Sequence, residues 1–232
     1  MGASSNPPSA GGGVWALLVA AGTGARLEEE RPKAFVRLGE RPLLAESLRR
    51  LEDSDWIDAI VIAAPPGWEE PAILLAEELS ATKVVAVVTG GANRAESVRT
   101  ALGEVPEDAV VALVHDAARP LLTEELIERV LAPLAEGWDG VVPGLALSDT
   151  VKRVRDNAIV ETVDRTGLYA VQTPQAFLAP VLRRAYNGDL TAATDCAMLV
   201  EVAGGRVTVV EGDPRLVKVT TKADLELVAS WL

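Results

Sequence analysis

Short apolar runs rich in β-branched residues alternate with longer amphipathic segments from residue 14 to residue 144. The apolar runs are VWALLVA (14–20), IDAIVIAA (57–64), KVVAVV (83–88), AVVALVH (109–115) and WDGVVPG (138–144). The amphipathic segments are LLAESLRRLE (43–52), WEEPAILLAEELS (68–80), NRAESVRTALGEV (93–105) and TEELIERVLAPLAEG (123–137). Because continuously apolar strands separated by helices form parallel sheets that are buried on both faces, this alternation predicts an α/β fold with helices on both sides of a mostly parallel sheet.

The alternation stops at SDTVKRVRDNAIVETVDR (148–165), where two strand-like segments flank Asp156 and Asn157, a dipeptide with turn chemistry. This pattern predicts a protruding β-hairpin arm. Neither face of the hairpin is broadly apolar, and an isolated hairpin is marginal in water, so we expect the arm to pack against a second subunit. After the arm, the pattern predicts helices near 175–187 and 194–203, a strand pair near 206–219 and a helix from about residue 221.

The composition predicts one domain with a tail. Residues 2–13 contain only Gly, Ala, Ser, Asn and Pro, which cannot bury apolar surface. We therefore expect residues 1–13 to be flexible and residues 14–232 to form a single domain that carries the arm. The remaining chain is long enough to bury a substantial core, and 49% of the sequence is hydrophobic.

Charge and cysteine content exclude several classes of partner. The formal net charge of −12 would repel a polyanionic duplex, so nucleic acid is not an expected partner. The longest early apolar run, Val14 to Ala21, is far shorter than the roughly 18 residues of a membrane helix, and no membrane contact is expected. The one cysteine, Cys196, cannot form an internal disulfide, which suits a reducing cytoplasm. We expect Cys196 to be a small core residue.

The loop after the first strand, within LLVAAGTGARLEEERPKAF (17–35), has the composition of a phosphate-binding loop. A dinucleotide fingerprint would use Gly22 and Gly24 but needs a third glycine where Leu27 stands, and no Walker A string occurs in the sequence. The remaining interpretation is a long loop whose glycines bring backbone N–H groups close to phosphates, with Arg26 and Lys33 neutralising the charge. Taken alone, the loop is also compatible with a plain glycine turn carrying solvated charges.

Two further clusters belong at the same edge of the sheet. GGANRAESV (90–98) follows the third predicted strand, and VHDAARP (114–120) follows the fourth. Parallel sheets bind ligands beyond the carboxyl ends of their strands, so the three loops predict one crevice. Asp116 at a strand end is a candidate Mg²⁺ ligand, because Mg²⁺ is held by one or two carboxylates with phosphate oxygens and water. A capping or turn role is the alternative for Asp116.

These motifs together resemble the 2-C-methyl-D-erythritol 4-phosphate cytidylyltransferase family over residues 14–232. The resemblance is carried by AAGTGARLEEERPK, GGANRAESV, VHDAARP, DTVKR, VDRTGLYAVQTPQAF, ATD and VKVT. It implies a Rossmann-like nucleotidyltransferase fold and a homodimer whose hairpin arms embrace. It also implies that CTP and methylerythritol phosphate react, with Mg²⁺, to give the CDP-linked product and pyrophosphate in non-mevalonate isoprenoid synthesis.

The resemblance also implies roles for individual residues. The catalytic cations would be Arg26, Lys33 and Lys218, the last beside the α-phosphate. The nucleotide-binding residues would be Ala20, Ala21, Gly22, Gly24, Gly91 and Ser97. The residues around the acceptor would be Asp116, which also lies near the metal, together with Thr150, Arg165, Thr173 and Thr194. Thr150 and Arg165 would reach the acceptor across the dimer. Where family members often carry an acidic residue after the two glycines, this chain has Ala92.

Two alternatives stay open from the sequence. A cytidylyltransferase for another polyol phosphate, such as ribitol 5-phosphate, would have much the same CTP-binding residues. A nucleotide-binding regulator without turnover is the alternative from another class, and the complete set of Arg26, Lys33, Asp116 and Lys218 argues against it. The attacking phosphate oxygen is already anionic and needs no strong base, so we expect the one histidine, His115, to have a packing or hydrogen-bonding role.

Overall fold

The computed structural model describes residues 12–22, 24, 31–191 and 193–232. Most of the predicted tail, and the predicted catalytic Arg26, lie outside these residues. The strands are β1 Val14–Val19, β2 Arg37–Leu38, β3 Arg41–Pro42, β4 Ala59–Ala64, β5 Val84–Thr89, β6 Val111–Asp116, β7 Gly140–Ala146, β8 Val151–Arg155, β9 Ala158–Val163, β10 Tyr169–Val171, β11 Gln175–Leu178 and β12 Val207–Glu211. The helices are α1 Leu43–Glu52, α2 Glu69–Glu78, α3 Arg94–Leu102, α4 Glu124–Leu131, α5 Ala179–Tyr186, α6 Cys196–Val202 and α7 Lys222–Ala229.

A parallel core forms the first half of the central sheet. β1 pairs in parallel with both β6 and β4, and β4 pairs in parallel with β5. β4 and β6 are buried along their whole length, as continuously apolar strands in a doubly covered sheet must be. The predicted mostly parallel sheet is therefore confirmed, and the carboxyl ends of β1, β4, β5 and β6 lie at one edge.

The second half of the sheet departs from the simple alternation. β7 pairs in parallel with β12, whereas β10 and β11 run antiparallel along its two halves, and β11 also pairs antiparallel with β6. The helix predicted near 175–187 is wrong for residues 175–178, which form β11; α5 begins only at Ala179, with a proline in its first turn. The predicted strand pair near 206–219 is also wrong, because only Val207–Glu211 is a strand.

Helices cover both faces of the sheet. Neighbouring residues of a strand point to opposite faces, so Leu18 packs in a core with Leu48 of α1, and Leu17 packs in a second core with Val98 of α3. The first core also takes side chains from α2 and α4, and the second takes side chains from α5 and α6. A smaller third cluster joins α7, through Val228, to the region of β2 and β3.

The predicted arm is present as a separate two-stranded sheet of β8 and β9. Its turn residues Asp156 and Asn157 have φ of 49° and 63°, the left-handed conformation at both central positions that a tight hairpin turn favours. Nearly every residue of the two strands is exposed in the single chain.

Of the helices in the described part of the chain, none combines the length and the hydrophobicity needed to cross a membrane.

Candidate active site

A pocket of about 280 Å³ opens at the carboxyl edge of the parallel strands. It lies where the loops after β1, β5 and β6 meet the segment before α7, the place at which open parallel sheets bind ligands. The pocket is lined by Val19, Ala20, Ala21, Gly22, Lys33, Ala34, Gly91, Ala92, Asn93, Arg94, Ser97, Asp116, Ala117, Ala118 and Lys218.

The structure brings most of the residues expected to bind nucleotide or phosphate into this one pocket. Those that line it are Ala20, Ala21, Gly22, Lys33, Gly91, Ser97, Asp116 and Lys218. Gly24 is not among the lining residues; it has φ of +69°, and a Cβ atom there would come within 2.6 Å of the Lys33 Cβ. Glycine at this position therefore lets the loop pack against the stem of Lys33.

The wall formed by GGANRAESV is built around the start of α3. The Asn93 side chain caps the helix by accepting a hydrogen bond from the Glu96 N–H at 2.9 Å. The Glu96 carboxylate in turn accepts from the Ala92 N–H at 2.8 Å, and Ser97 Oγ accepts from the Gly91 N–H at 3.1 Å. These bonds fix the two residues before the helix cap, so the backbone at Gly91 and Ala92 has a defined position in the pocket wall.

Asp116 is held between two cations at the end of β6. Its Oδ1 accepts from Arg94 Nε at 2.8 Å and its Oδ2 accepts from Lys218 Nζ at 2.7 Å. Burial alone would raise the pKa of Asp116, but the charges of Arg94 and Lys218 and their hydrogen bonds hold it well below its usual range. Asp116 is therefore an ionised carboxylate within a cluster whose net charge is positive.

Lys218 reaches the pocket because its segment is bonded to the loop after β6. The Val219 N–H donates to the Ala118 carbonyl oxygen at 2.8 Å, and Arg119 Nη1 donates to the Leu216 carbonyl oxygen at 2.9 Å. Residues 216–219 thus run beside VHDAARP rather than forming the second strand of a pair. This arrangement brings Lys218 next to Asp116.

Arg94 is a pocket residue that the sequence motifs did not single out, although it lies inside GGANRAESV. The available signal was a basic residue directly after a helix N-cap at the ligand-binding edge of the sheet. Its ion pair with Asp116 joins residues 22 positions apart, and only the fold brings α3 and β6 together. Arg94 therefore joins Lys33 and Lys218 as a cation of the pocket wall.

His115 and Thr173 form a buried hydrogen-bonded chain behind Asp116. Thr173 Oγ1 accepts from the Asp116 N–H at 3.0 Å and lies 3.2 Å from His115 Nδ1, while His115 Nε2 lies 3.1 Å from the Arg119 carbonyl oxygen. Because a carbonyl only accepts, Nε2 carries the proton and Nδ1 accepts from the Thr173 hydroxyl. Burial lowers the pKa of His115 to about 4, so the ring is neutral at pH 7. The geometry fits the expected hydrogen-bonding role of His115.

Four residues expected around the acceptor, Thr150, Arg165, Thr173 and Thr194, do not line the pocket of the single chain. Thr173 is buried, and its hydroxyl takes part in the hydrogen-bonded chain behind Asp116. Thr150 and Arg165 lie at the base of the arm, where the Arg165 guanidinium donates to the Ser148 carbonyl oxygen. Thr194 is exposed just before α6 and donates to Met198 Sδ at 3.7 Å. Their assignment to the acceptor stays a prediction.

The donor set of the pocket fits a magnesium ion that arrives with a polyphosphate. Among the described residues that line the pocket, Asp116 is the one acidic side chain. Elsewhere in the described ranges, as here, no three His, Cys, Asp or Glu side chains are grouped to hold a metal ion by themselves. Each Asp116 oxygen takes one hydrogen bond, and a carboxylate has about four acceptor sites. One carboxylate with phosphate oxygens and water satisfies Mg²⁺.

Comparison with known proteins gives one consistent family. Residues 14–232 match the family model described as 2-C-methyl-D-erythritol 4-phosphate cytidylyltransferase. A protein of that name from Nocardia farcinica is 46% identical over 222 residues, which cover 95% of this chain and 94% of that protein. One from Frankia casuarinae is 44% identical and covers 100% of this chain and 86% of that protein.

Solved structures give the same result. A crystal structure of 4-diphosphocytidyl-2C-methyl-D-erythritol synthase superposes with a TM-score of 0.81 at 30% identity, covering 94% of this chain and 98% of that chain. The 2-C-methyl-D-erythritol 4-phosphate cytidylyltransferase of Thermus thermophilus superposes with a TM-score of 0.76 at 32% identity, covering 93% of this chain and 96% of that chain. The predicted Rossmann-like nucleotidyltransferase fold is confirmed.

Proposed function

Since the chain belongs to the 2-C-methyl-D-erythritol 4-phosphate cytidylyltransferase family, we infer that it transfers the cytidylyl group of CTP to 2-C-methyl-D-erythritol 4-phosphate. Pyrophosphate is the second product, and the reaction is a step of non-mevalonate isoprenoid precursor synthesis. The observation that carries this conclusion is the pocket at the carboxyl edge of the sheet, where Arg94 and Lys218 bond the ionised Asp116 and Lys33 lines the same pocket.

The main contribution of the pocket to this reaction is to neutralise the negative charge of the phosphates. An oxygen of the acceptor phosphate forms a bond to the α-phosphorus of CTP, and the bond from that phosphorus to the oxygen bridging to the β-phosphate breaks as pyrophosphate leaves. The attacking oxygen is already anionic, so the barrier lies in bringing two polyanions into line. Lys33 and Lys218 line the same pocket and would stabilise the negative charge that develops on the phosphates. Arg26 joins this proposal as a third catalytic cation.

The nucleotide is proposed to lie against the first loop and the start of α3. Backbone groups of Ala20 and Ala21, with Gly91 and Ser97, would contact the cytosine and ribose, while Gly22 and Gly24 let the loop approach the phosphates. Ala92 cannot supply a side-chain carboxylate at this wall, and its N–H is already bonded to Glu96. A hydrogen bond from residue 92 to the nucleotide would therefore use its carbonyl oxygen.

Family enzymes of this kind generally use a divalent metal, and we propose Mg²⁺ for this chain. Asp116 would hold it together with oxygens of the triphosphate, since Asp116 is ionised and keeps unused acceptor sites. When bound, the ion would supply further positive charge to the phosphates. The contribution of Asp116 itself is to stay deprotonated and to hold Arg94 and Lys218 at the pocket.

We also propose that residues 14–232 act as one domain and that two copies associate through the arms. The exposed arm carries Thr150 and Arg165 at its base, and a partner's arm would complete the acceptor site with these two residues. Thr173 and Thr194 would contribute from the chain that holds the nucleotide. The single, buried Cys196 fits a reducing cytoplasm, which we propose as the location.

The test is pyrophosphate release from each of the four nucleoside triphosphates, with and without 2-C-methyl-D-erythritol 4-phosphate. Release only when CTP and this acceptor are both present is the expected result. Ribitol 5-phosphate, offered side by side, separates the close alternative, and faster turnover with it would reassign the acceptor. Nucleotide binding with no release under any condition would instead indicate a regulator without turnover.

A further inference from the structure

Arg94 connects three elements that the proposed reaction uses. It is the first residue of α3 and belongs to the pocket wall formed by GGANRAESV. Its Nε donates to Asp116 Oδ1 at the end of β6, at 2.8 Å. Its Nη1 donates to Cys196 Sγ, at 3.5 Å, at the first residue of α6. One planar guanidinium therefore spans the nucleotide wall, the carboxylate and the segment that carries Thr194.

Cys196, the residue that Arg94 bonds at the start of α6, is anchored in the protein interior. Cys196 is fully buried, and burial raises the pKa of its thiol, so the sulfur is neutral at pH 7. Sγ also lies 3.1 Å from Tyr186 Oη at the end of α5. The Cys196 N–H donates to Gln175 Oε1 at 3.2 Å, and Gln175 Nε2 donates to Asp195 Oδ2 at 2.9 Å. The start of α6 is therefore held from two sides, by β11 and by Arg94.

We propose that Arg94 is a positioning residue that holds Asp116 and the segment Ala193–Cys196 at a fixed separation, so that the nucleotide and the acceptor are aligned. The inference rests on the proposed function, because it assigns Thr194 to the acceptor side. Arginine suits the task because its donors lie in a rigid plane and point in different directions. A lysine would keep the charge beside Asp116 but could not bond Asp116 and Cys196 together in that geometry.

The experiment compares full-length variants by steady-state kinetics with CTP and 2-C-methyl-D-erythritol 4-phosphate varied separately. Arg94→Lys removes the planar guanidinium, and Cys196→Ala removes its bond to α6 together with the contact between Sγ and Tyr186 Oη. Arg99→Lys, at an exposed position of the same helix, is the matched control. Misalignment of the reactants should lower kcat of Arg94→Lys on the order of 10- to 100-fold. The KM for the acceptor should rise more than the KM for CTP, and Arg99→Lys should match the wild type.

A double-mutant cycle tests whether Arg94 and Cys196 act through their shared hydrogen bond or independently of each other. If Arg94 acts partly through Cys196, Arg94→Lys with Cys196→Ala should have the kcat/KM for the acceptor of Arg94→Lys alone, because contacting residues give non-additive losses. Cys196→Ser keeps a hydrogen-bond acceptor and should lie closer to the wild type than Cys196→Ala. Losses that multiply in the double variant, or Arg94→Lys kinetics equal to those of Arg99→Lys, would overturn the proposal.

Amide hydrogen exchange gives a readout that needs no turnover. Arg94→Lys and Cys196→Ala should speed exchange of the amides in 193–198, while exchange in α4 stays as in the wild type. Unchanged exchange in 193–198 would refute the positioning role even in an active enzyme. A wild type that releases no pyrophosphate would instead refute the proposed function, so the two failures can be told apart.

Discussion

Lys33 opens the short 3-10 helix Lys33–Phe35 and lines the pocket from the side of the first loop. We expect Lys33→Ala to lower turnover on the order of 100-fold or more, the loss typical of removing one group that stabilises developing charge. Pyrophosphate release measures it, with the exposed Arg41→Ala as the control for loss of a nearby cation. Near-normal turnover of Lys33→Ala would remove Lys33 from the catalytic set.

Arg165 offers a planar guanidinium at the base of the arm. In Arg165→Lys the charge stays but the two parallel hydrogen bonds to a phosphate are lost. The expected result is a KM for 2-C-methyl-D-erythritol 4-phosphate that rises far more than the KM for CTP, measured by varying each substrate at saturating concentrations of the other. Equal changes in both constants would argue that Arg165 only stabilises the arm through its bond to Ser148.

His115 gives a prediction about pH and stability. Burial lowers the pKa of His115 to about 4, from an ordinary value of 6.5, so the unfolded chain binds this proton more tightly than the folded chain. The contribution of His115 to the free energy of unfolding should therefore be largest above pH 6.5 and fall by about 1.4 kcal/mol per pH unit as the pH drops from 6.5 towards 4. Urea unfolding at several pH values measures this slope.

The sequence contains one histidine, so the variant His115→Asn isolates the effect. Its amide oxygen can still accept from the Thr173 hydroxyl, while the titrating ring is gone. We expect the slope between pH 6.5 and about 5 to be smaller in His115→Asn than in the wild type. Identical slopes in the two proteins would mean that His115 is not held neutral by burial.

A single chain leaves the two strands of the arm almost wholly exposed. Val154, Ile159 and Val160 are 57%, 66% and 52% exposed, which is costly for apolar residues of an isolated hairpin. If two arms pack together, Ile159→Asp should weaken the dimer, shifting the mass measured by sedimentation towards the monomer and raising the KM for the acceptor. Val202→Asp, at an 80% exposed position of α6, is the control. A wild type that is monomeric at working concentrations would contradict the dimer.

Strands and helices could be predicted where the hydrophobic periodicity of a segment and its length indicate the same element. The apolar runs of β1, β4, β5 and β6 are separated by helical segments long enough to cross the sheet, and this pattern has few other solutions. Gln175–Leu178 escaped prediction because a short, largely apolar run continues directly into α5, and such a run does not distinguish strand from helix. Its strand conformation comes from pairing with β6 and β7, a tertiary contact that no local pattern contains.

For the molecule as a whole, the location of the pocket could be predicted, but the hydrogen bonds and ion pairs within it could not. Parallel strands place their carboxyl ends at one edge, so the three loops had to meet. The bonds of Asp116 to Arg94 and Lys218 join residues 22 and 102 positions apart. These contacts depend on how α3 and residues 216–219 dock on the sheet. The local sequence therefore indicated a phosphate-binding site, whereas the tertiary fold determines which cations bond Asp116.

The most direct measurement is a crystal structure of the protein with CTP and Mg²⁺. We expect the triphosphate to lie within hydrogen-bonding distance of Lys33 and Lys218, with the base against Gly91 and Ser97. The metal should be bound by Asp116 and phosphate oxygens. A triphosphate bound away from Lys33, Asp116 and Lys218 would show that this edge of the sheet does not hold the reacting phosphates.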